Sequence, residues 1–179
     1  METKLVIAGF GGQGIIMAGH ILANAGMLEK KKVTLVPSYG PEMRGGTANC
    51  TVILKDDEIY SPVVDHPDIM IAMNQPSLER FEGQVSPNGW IFYNSSLCTP
   101  KSRKKNLRYH GIPASGMAGK LGNIRVANLL ILGALLKQTS LVRVETVRDK
   151  VLPTLFTGKK KALLEINRKA LKEGMEYQE

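Results

Sequence analysis

Cysteine is scarce in this chain. Its 179 residues hold only Cys50 and Cys98, 48 positions apart. That spacing excludes the closely set cysteine runs that hold iron–sulfur clusters, and it offers no disulfide framework. Histidine is equally sparse: His20, His66 and His110 are scattered and form no ligand pair. Long hydrophobic runs are also missing. The longest, Leu129 to Leu136, has eight residues and is too short to span a bilayer. The N-terminus carries Lys4 and a short apolar stretch that breaks at once into glycines, which reads as neither a secretory signal nor an anchor. A cytoplasmic location follows as the default. No Ser/His/Asp set, carboxylate pair or activated cysteine stands out, so no catalytic residue is assigned.

What the chain does have is a charge gradient. Residues 1–100 hold 7 Lys and Arg against 10 Asp and Glu; residues 101–179 hold 17 against 6. The first stretch is thus net negative, and the second more than accounts for the net charge of +8. Lys101, Arg103, Lys104, Lys105 and Arg108 form one basic run and Lys159, Lys160 and Lys161 another. Such a surface attracts phosphorylated cofactors, acidic proteins or nucleic acid, although a solvated face is the simpler reading. No aromatic residue interleaves with the first run before Tyr109, so nucleic acid is not expected as a partner.

Strands and helices alternate in the hydrophobic pattern. Strands are predicted at Lys4–Ala8, Val33–Pro37, Thr47–Lys55, Asp68–Met73, Trp90–Tyr93 and 107–112. A hairpin is predicted at Asp56-Asp57, with Glu58–Ser61 as its second arm. Helical spacing covers 13–28, a short stretch from Pro76, Gly122–Gln138, Val144–Leu152 and Lys159–Glu173. The pattern predicts a single α/β domain over residues 1–179: a Rossmann-like three-layer sandwich with a mostly parallel sheet and an antiparallel hairpin element.

Two loops carry the functional signal. Gly9-Phe10-Gly11-Gly12-Gln13-Gly14 follows the first strand and opens the first helix with G-x-G-x-x-G spacing. In that motif the first glycine makes the tight turn, the second lets a ligand approach the backbone, and the third lets helix and strand pack closely. A stand-alone nicotinamide-binding protein is one reading. However, the acidic residue expected about 20 positions on is missing: the second strand ends Leu35-Val36-Pro37-Ser38, and Glu29 lies before it. A turn serving only helix–sheet packing is a second reading. The other loop, Ser38-Tyr39-Gly40-Pro41-Glu42-Met43-Arg44-Gly45-Gly46, should lie beside the first at the carboxyl edge of the sheet, where open α/β folds bind ligands. It could equally be a rigid turn that docks on a partner.

Together with Thr47-Ala48-Asn49-Cys50, Asp68–Gln75, Gly122-Asn123, Ala127-Asn128 and Leu132-Gly133-Ala134, these pieces resemble the gamma subunit of 2-oxoacid:ferredoxin oxidoreductases. The Tyr39-Gly40-Pro41-Glu42 form is similar to the 2-oxoglutarate and 2-oxoisovalerate branches. The resemblance implies an enzyme subunit that is not catalytic alone, in a complex that oxidatively decarboxylates a 2-oxoacid to an acyl-CoA. Alpha, beta and delta subunits are its implied partners, with ferredoxin as the complex's electron acceptor. They, rather than this chain, are implied to hold thiamine diphosphate and iron–sulfur clusters. Coenzyme A is the implied co-substrate. Its side of the site would draw on Gly9, Gly11, Gly12, Gln13 and Gly14 of the first loop, and on Tyr39, Gly40, Glu42, Arg44, Gly45 and Gly46 of the second.

Overall fold

The computed structural model describes residues 2–39 and 47–178. Among the described residues six strands form one sheet in the order β2-β3-β1-β4-β5-β6. They are β1 (Glu2–Phe10), β2 (Lys32–Tyr39), β3 (Thr47–Lys55), β4 (Ile69–Ala72), β5 (Trp90–Asn94) and β6 (Arg108–Ile112). β3 pairs antiparallel with both β1 and β2, whereas β1, β4, β5 and β6 pair parallel in sequence. The expected α/β fold with a mostly parallel sheet is present, but its antiparallel element is not where the sequence suggested. Glu58–Ser61 forms no strand. Instead β3 turns back against β2 and inserts between β2 and β1. Its nine residues, which include the β-branched Thr47, Thr51, Val52 and Ile53, are paired on one edge along all nine residues of β1 and on the other along the eight of β2.

The side-chain alternation of the strands builds two cores. Leu5, Ile7, Cys50, Val52, Leu54, Ile69, Ile71 and Phe92 point to one face and pack under the helices α1 (Ile15–Leu28) and α4 (Ala127–Thr139). Val6, Met70, Ala72, Ile91 and Tyr93 point to the other, where α2 (Gln75–Phe81) contributes Leu78. The result is three layers. On the first face α6 (Leu164–Glu176) lies over α4, and α4 is accordingly buried all the way round from Ala127 to Leu136. The α4–α6 crossing rests on two glycines: a Cβ on Gly133 would strike the Leu171 carbonyl oxygen, and one on Gly174 the Leu130 carbonyl oxygen.

Several boundaries differ from the predicted ones for local reasons. Pro37 does not end β2. As an edge strand β2 tolerates a residue without an N–H, and it continues to Tyr39. α3 (Ala114–Lys120), a short helix of small residues, was not predicted. The helix at Val144 runs on through a wide π-type turn, Thr146–Val151, into α5 (Leu152–Leu155). The widened turn directly precedes Pro153, whose ring clashes with a regular helical ladder. The basic run at 101–108 is tied to both faces of the sheet, Lys101 and Arg103 on the α2 side and Arg108 on the face that carries Trp90 and Phe92. Lys101 pairs with Glu79 at 3.0 Å, Arg103 donates to the Tyr93 hydroxyl at 3.0 Å, and Arg108 lies 5.2 Å from the Trp90 ring centroid.

Candidate functional site at the carboxyl rim

β1 ends at Phe10, opposite Thr47, and β2 ends at Tyr39, opposite Ala48. The glycine turn and the flanks of the second loop therefore emerge on the same rim of the sheet. Phe10, Gly12, Tyr39, Ala48 and Arg125 line one cavity there, of about 460 Å³. Gly12, Gln13, Leu97, Ile124 and Arg125 line an adjoining one of about 340 Å³. Among the described residues lining the two cavities, Arg125 is the only charged one. Tyr39, Leu97 and Ile124 are exposed apolar side chains around the tip of the turn.

The residues of the first loop differ in what they do. Gly9 lies within β1, where a Cβ would come within 2.6 Å of Gln13 Oε1 and 2.8 Å of Met73 Cβ; close packing explains it. Gly11 and Gly12 form the exposed tip. The left-handed backbone conformations fall at Gly12 (φ 97°) and Gly14 (φ 74°), where a side chain would strain the turn. Gly14 is the N-cap of α1, which has no side-chain cap and no acidic residue in its first turn. Its first amides thus suit an anion better than an uncharged neighbour. Gln13 turns inward: its Oε1 accepts from the Phe10 N–H at 2.7 Å and its Nε2 donates to the Met73 carbonyl at 3.1 Å. Of the second loop, Tyr39 stands exposed at the end of β2 on the shared rim. Gly40, Glu42, Arg44, Gly45 and Gly46 lie outside the described residues.

Three residues outside the sequence-predicted site converge on this rim, two of which, Asn74 and Asn128, fall within the pieces that carried the family resemblance. Asn74, 3% exposed, accepts from the Ser77 N–H at 2.9 Å to cap α2 and directs its Nδ2 at Gln13 Oε1, 3.4 Å away. Asn128, 5% exposed at the start of α4, donates to the Gly14 carbonyl at 3.1 Å. Arg125 is held by a turn in which Asn123 Oδ1 accepts its backbone N–H at 3.1 Å. Two signals marked Asn128 in the sequence: its place in the Ala127-Asn128 piece of the resemblance, and its being a polar residue inside the apolar run at 127–136. Nothing in the sequence marked Arg125.

The geometry does not match a dinucleotide site. β3 separates β2 from β1, so the second strand is not the first strand's neighbour, and β2 ends in Tyr39 without an acidic residue. Glu29, at the other end of α1, accepts from the Arg143 backbone N–H at 2.8 Å. Burial pushes the thiols of Cys50 and Cys98 up to about 12, so both are protonated at neutral pH and unsuited to attack or metal ligation. Among the described residues no group of three or more His, Cys, Asp and Glu is placed to hold a metal, and no helix is long and apolar enough to cross a membrane. A cavity of about 500 Å³ at the opposite rim, floored by Trp90, contains the Lys31–Asp56 ion pair at 2.8 Å and none of the glycine turn.

Comparison with known proteins agrees with this geometry. A family profile described as pyruvate ferredoxin/flavodoxin oxidoreductase matches residues 4–177. The ketoisovalerate oxidoreductase subunit VorA of Methanothermobacter marburgensis is 40% identical over 178 residues, which cover 98% of this chain and 36% of that one. The chain thus spans little more than a third of this curated relative. The gamma subunit of a keto/oxoacid ferredoxin oxidoreductase from Geobacter sulfurreducens superposes with a TM-score of 0.81 at 30% identity, covering 97% of this chain and 96% of that one. The 2-oxoglutarate:ferredoxin oxidoreductase of Magnetococcus marinus, solved with 2-oxoglutarate, coenzyme A and succinyl-CoA bound, gives a TM-score of 0.89 at 25% identity. There the match covers 98% of this chain and 30% of that one.

Proposed function

The chain belongs to the pyruvate ferredoxin/flavodoxin oxidoreductase family, and from that premise we propose that it is the gamma subunit of a 2-oxoacid:ferredoxin oxidoreductase acting on a branched-chain 2-oxoacid or 2-oxoglutarate. One observation carries this reading. The same domain is nearly a whole chain in the Geobacter gamma subunit but about a third of a longer polypeptide in VorA. A domain that occurs both joined to and separate from a larger chain is a part of an assembly. On this reading the domain works packed against the other parts of such an assembly.

In this reading the alpha, beta and delta subunits hold thiamine diphosphate and the iron–sulfur clusters, which supply decarboxylation and electron transfer to ferredoxin. This chain contributes the subunit contacts and part of the coenzyme A side of the site. Three features of the rim suit that task. The glycine tip exposes backbone without side chains, the first turn of α1 has no competing carboxylate, and Arg125 adds a positive charge. Tyr39, Leu97 and Ile124 supply apolar contact area around the tip. Gly40, Glu42, Arg44, Gly45 and Gly46, which lie outside the described residues, belong to the same proposed set on the sequence reading.

Co-expression with the thiamine-binding and cluster-binding subunits tests the proposal. The chain is expected to co-purify with them in fixed stoichiometry. Titration of the isolated chain with NADH is expected to leave its fluorescence unchanged. Purification as a free protein from cells that hold all the subunits would overturn the reading, and saturable NADH binding would restore the dinucleotide one.

A further inference from the structure

We infer that Gln13 and Asn128 are positioning residues that clamp the glycine turn from two sides, so that its Gly11-Gly12 tip meets coenzyme A in a single, preset conformation. The inference rests on the subunit reading above and deepens it, because it concerns what prepares the rim for its ligand.

The argument begins with cost. Asn128 lies between Ala127 and Leu129 in a helix whose other residues up to Leu136 are apolar or glycine, and it is 5% exposed. A primary amide in such a place costs free energy unless its groups are bonded, and leucine would suit the site better on packing grounds. Its oxygen is used locally, accepting from the Leu129 N–H at 2.9 Å. Its nitrogen is used at long range, donating to the Gly14 carbonyl, 114 positions away in the chain. That carbonyl also accepts from the Ala18 N–H at 2.9 Å, so Asn128 bonds the point where the turn becomes helix. A Cβ on Gly14 would lie 2.5 Å from Asn128 Nδ2, so the amide occupies space that only a glycine leaves open.

Gln13 makes the opposite clamp. One end of its amide closes the turn on itself through the Phe10 N–H, and the other reaches the Met73 carbonyl at the exit of β4. The Gln13 N–H returns to the Phe10 carbonyl at 3.2 Å. Residues 10 to 14 are thereby tied to β4 on one side and α4 on the other, while the two residues between the ties are bare backbone facing solvent. A turn that only joined a strand to a helix would need neither tie. Fixing a binding loop beforehand removes the ordering cost from the binding step, which is the return expected for a buried amide here.

Asn128→Leu and Gln13→Met, made in the full chain and assembled with the partner subunits, test the inference by two readouts. In the free chain, hydrogen exchange of the Phe10 and Gln13 amides is expected to accelerate in both variants while the thermal midpoint stays within about 5 °C of wild type. In the complex, KM for coenzyme A is expected to rise about tenfold with kcat within about twofold, the loss of one well-placed hydrogen bond's worth of preorganisation. Gln13→Glu, which keeps the acceptor for the Phe10 N–H but sets a carboxylate oxygen against the Met73 carbonyl, is expected to raise KM at least as much as Gln13→Met. Unchanged exchange, unchanged KM, or kcat and KM that change only in step with the thermal midpoint would each overturn the inference. Failure of the wild-type chain to assemble involves no substitution; it would sink the subunit reading, and this inference with it.

Discussion

At the residue scale, the glycine turn shows how one motif divides its duties. Gly9 is there for packing, Gly12 and Gly14 for backbone conformation, and Gln13 for cross-linking. Gly14→Ala combines a left-handed φ of 74° with a contact against Asn128. It is expected to cost about 1–3 kcal/mol in urea unfolding, whereas Gly83→Ala, with open space around it, should cost far less. The two cysteines predict an alkaline effect. Burial raises both thiols well above the ordinary thiol range, to about 12. Below about pH 9 folded and unfolded states both keep these protons, so the thiols add no slope. Between about 9 and 12 the unfolded chain loses protons that the folded chain retains, and stability falls as pH rises. A Cys50→Ala, Cys98→Ala double variant should show a shallower loss across that window in pH-dependent urea midpoints; an unchanged slope would place the thiols in contact with solvent.

At the element scale, the α4–α6 crossing is the most demanding contact, because helix backbones meet where Gly133 and Gly174 lack side chains. Gly133→Ala and Gly174→Ala are each expected to lower stability by about 1–3 kcal/mol as the helices separate. Midpoints equal to wild type would mean that the helices already stand further apart. The strands and long helices were legible in the sequence because each repeats its period several times, as in Leu5–Ala8 and Ile15–Leu28. β3 was legible as a strand but not in its pairing. Its antiparallel insertion between β2 and β1 depends on contacts remote in sequence, and the Asp56-Asp57 pair offered a local turn that leads into no strand. α3 escaped because Ala114, Gly116 and Gly119 show no apolar stripe. At the rim, the glycines and Tyr39 announced themselves, while Asn74, Asn128 and Arg125 take their meaning only from what folding brings beside them.

At the scale of the whole molecule, one sheet presents a glycine tip, the cationic Arg125 and exposed apolar flanks on a single rim. That arrangement suits a subunit that completes another protein's site. The central claim is tested most directly by omission and add-back: 2-oxoacid-dependent reduction of ferredoxin in the presence of coenzyme A, measured on the partner subunits with and without this chain, using 2-oxoisovalerate and 2-oxoglutarate in parallel. The account predicts that one of the two substrates supports rapid turnover only when the chain is present, and that the chain alone supports none. Equal turnover without the chain, or turnover by the chain on its own, would contradict it.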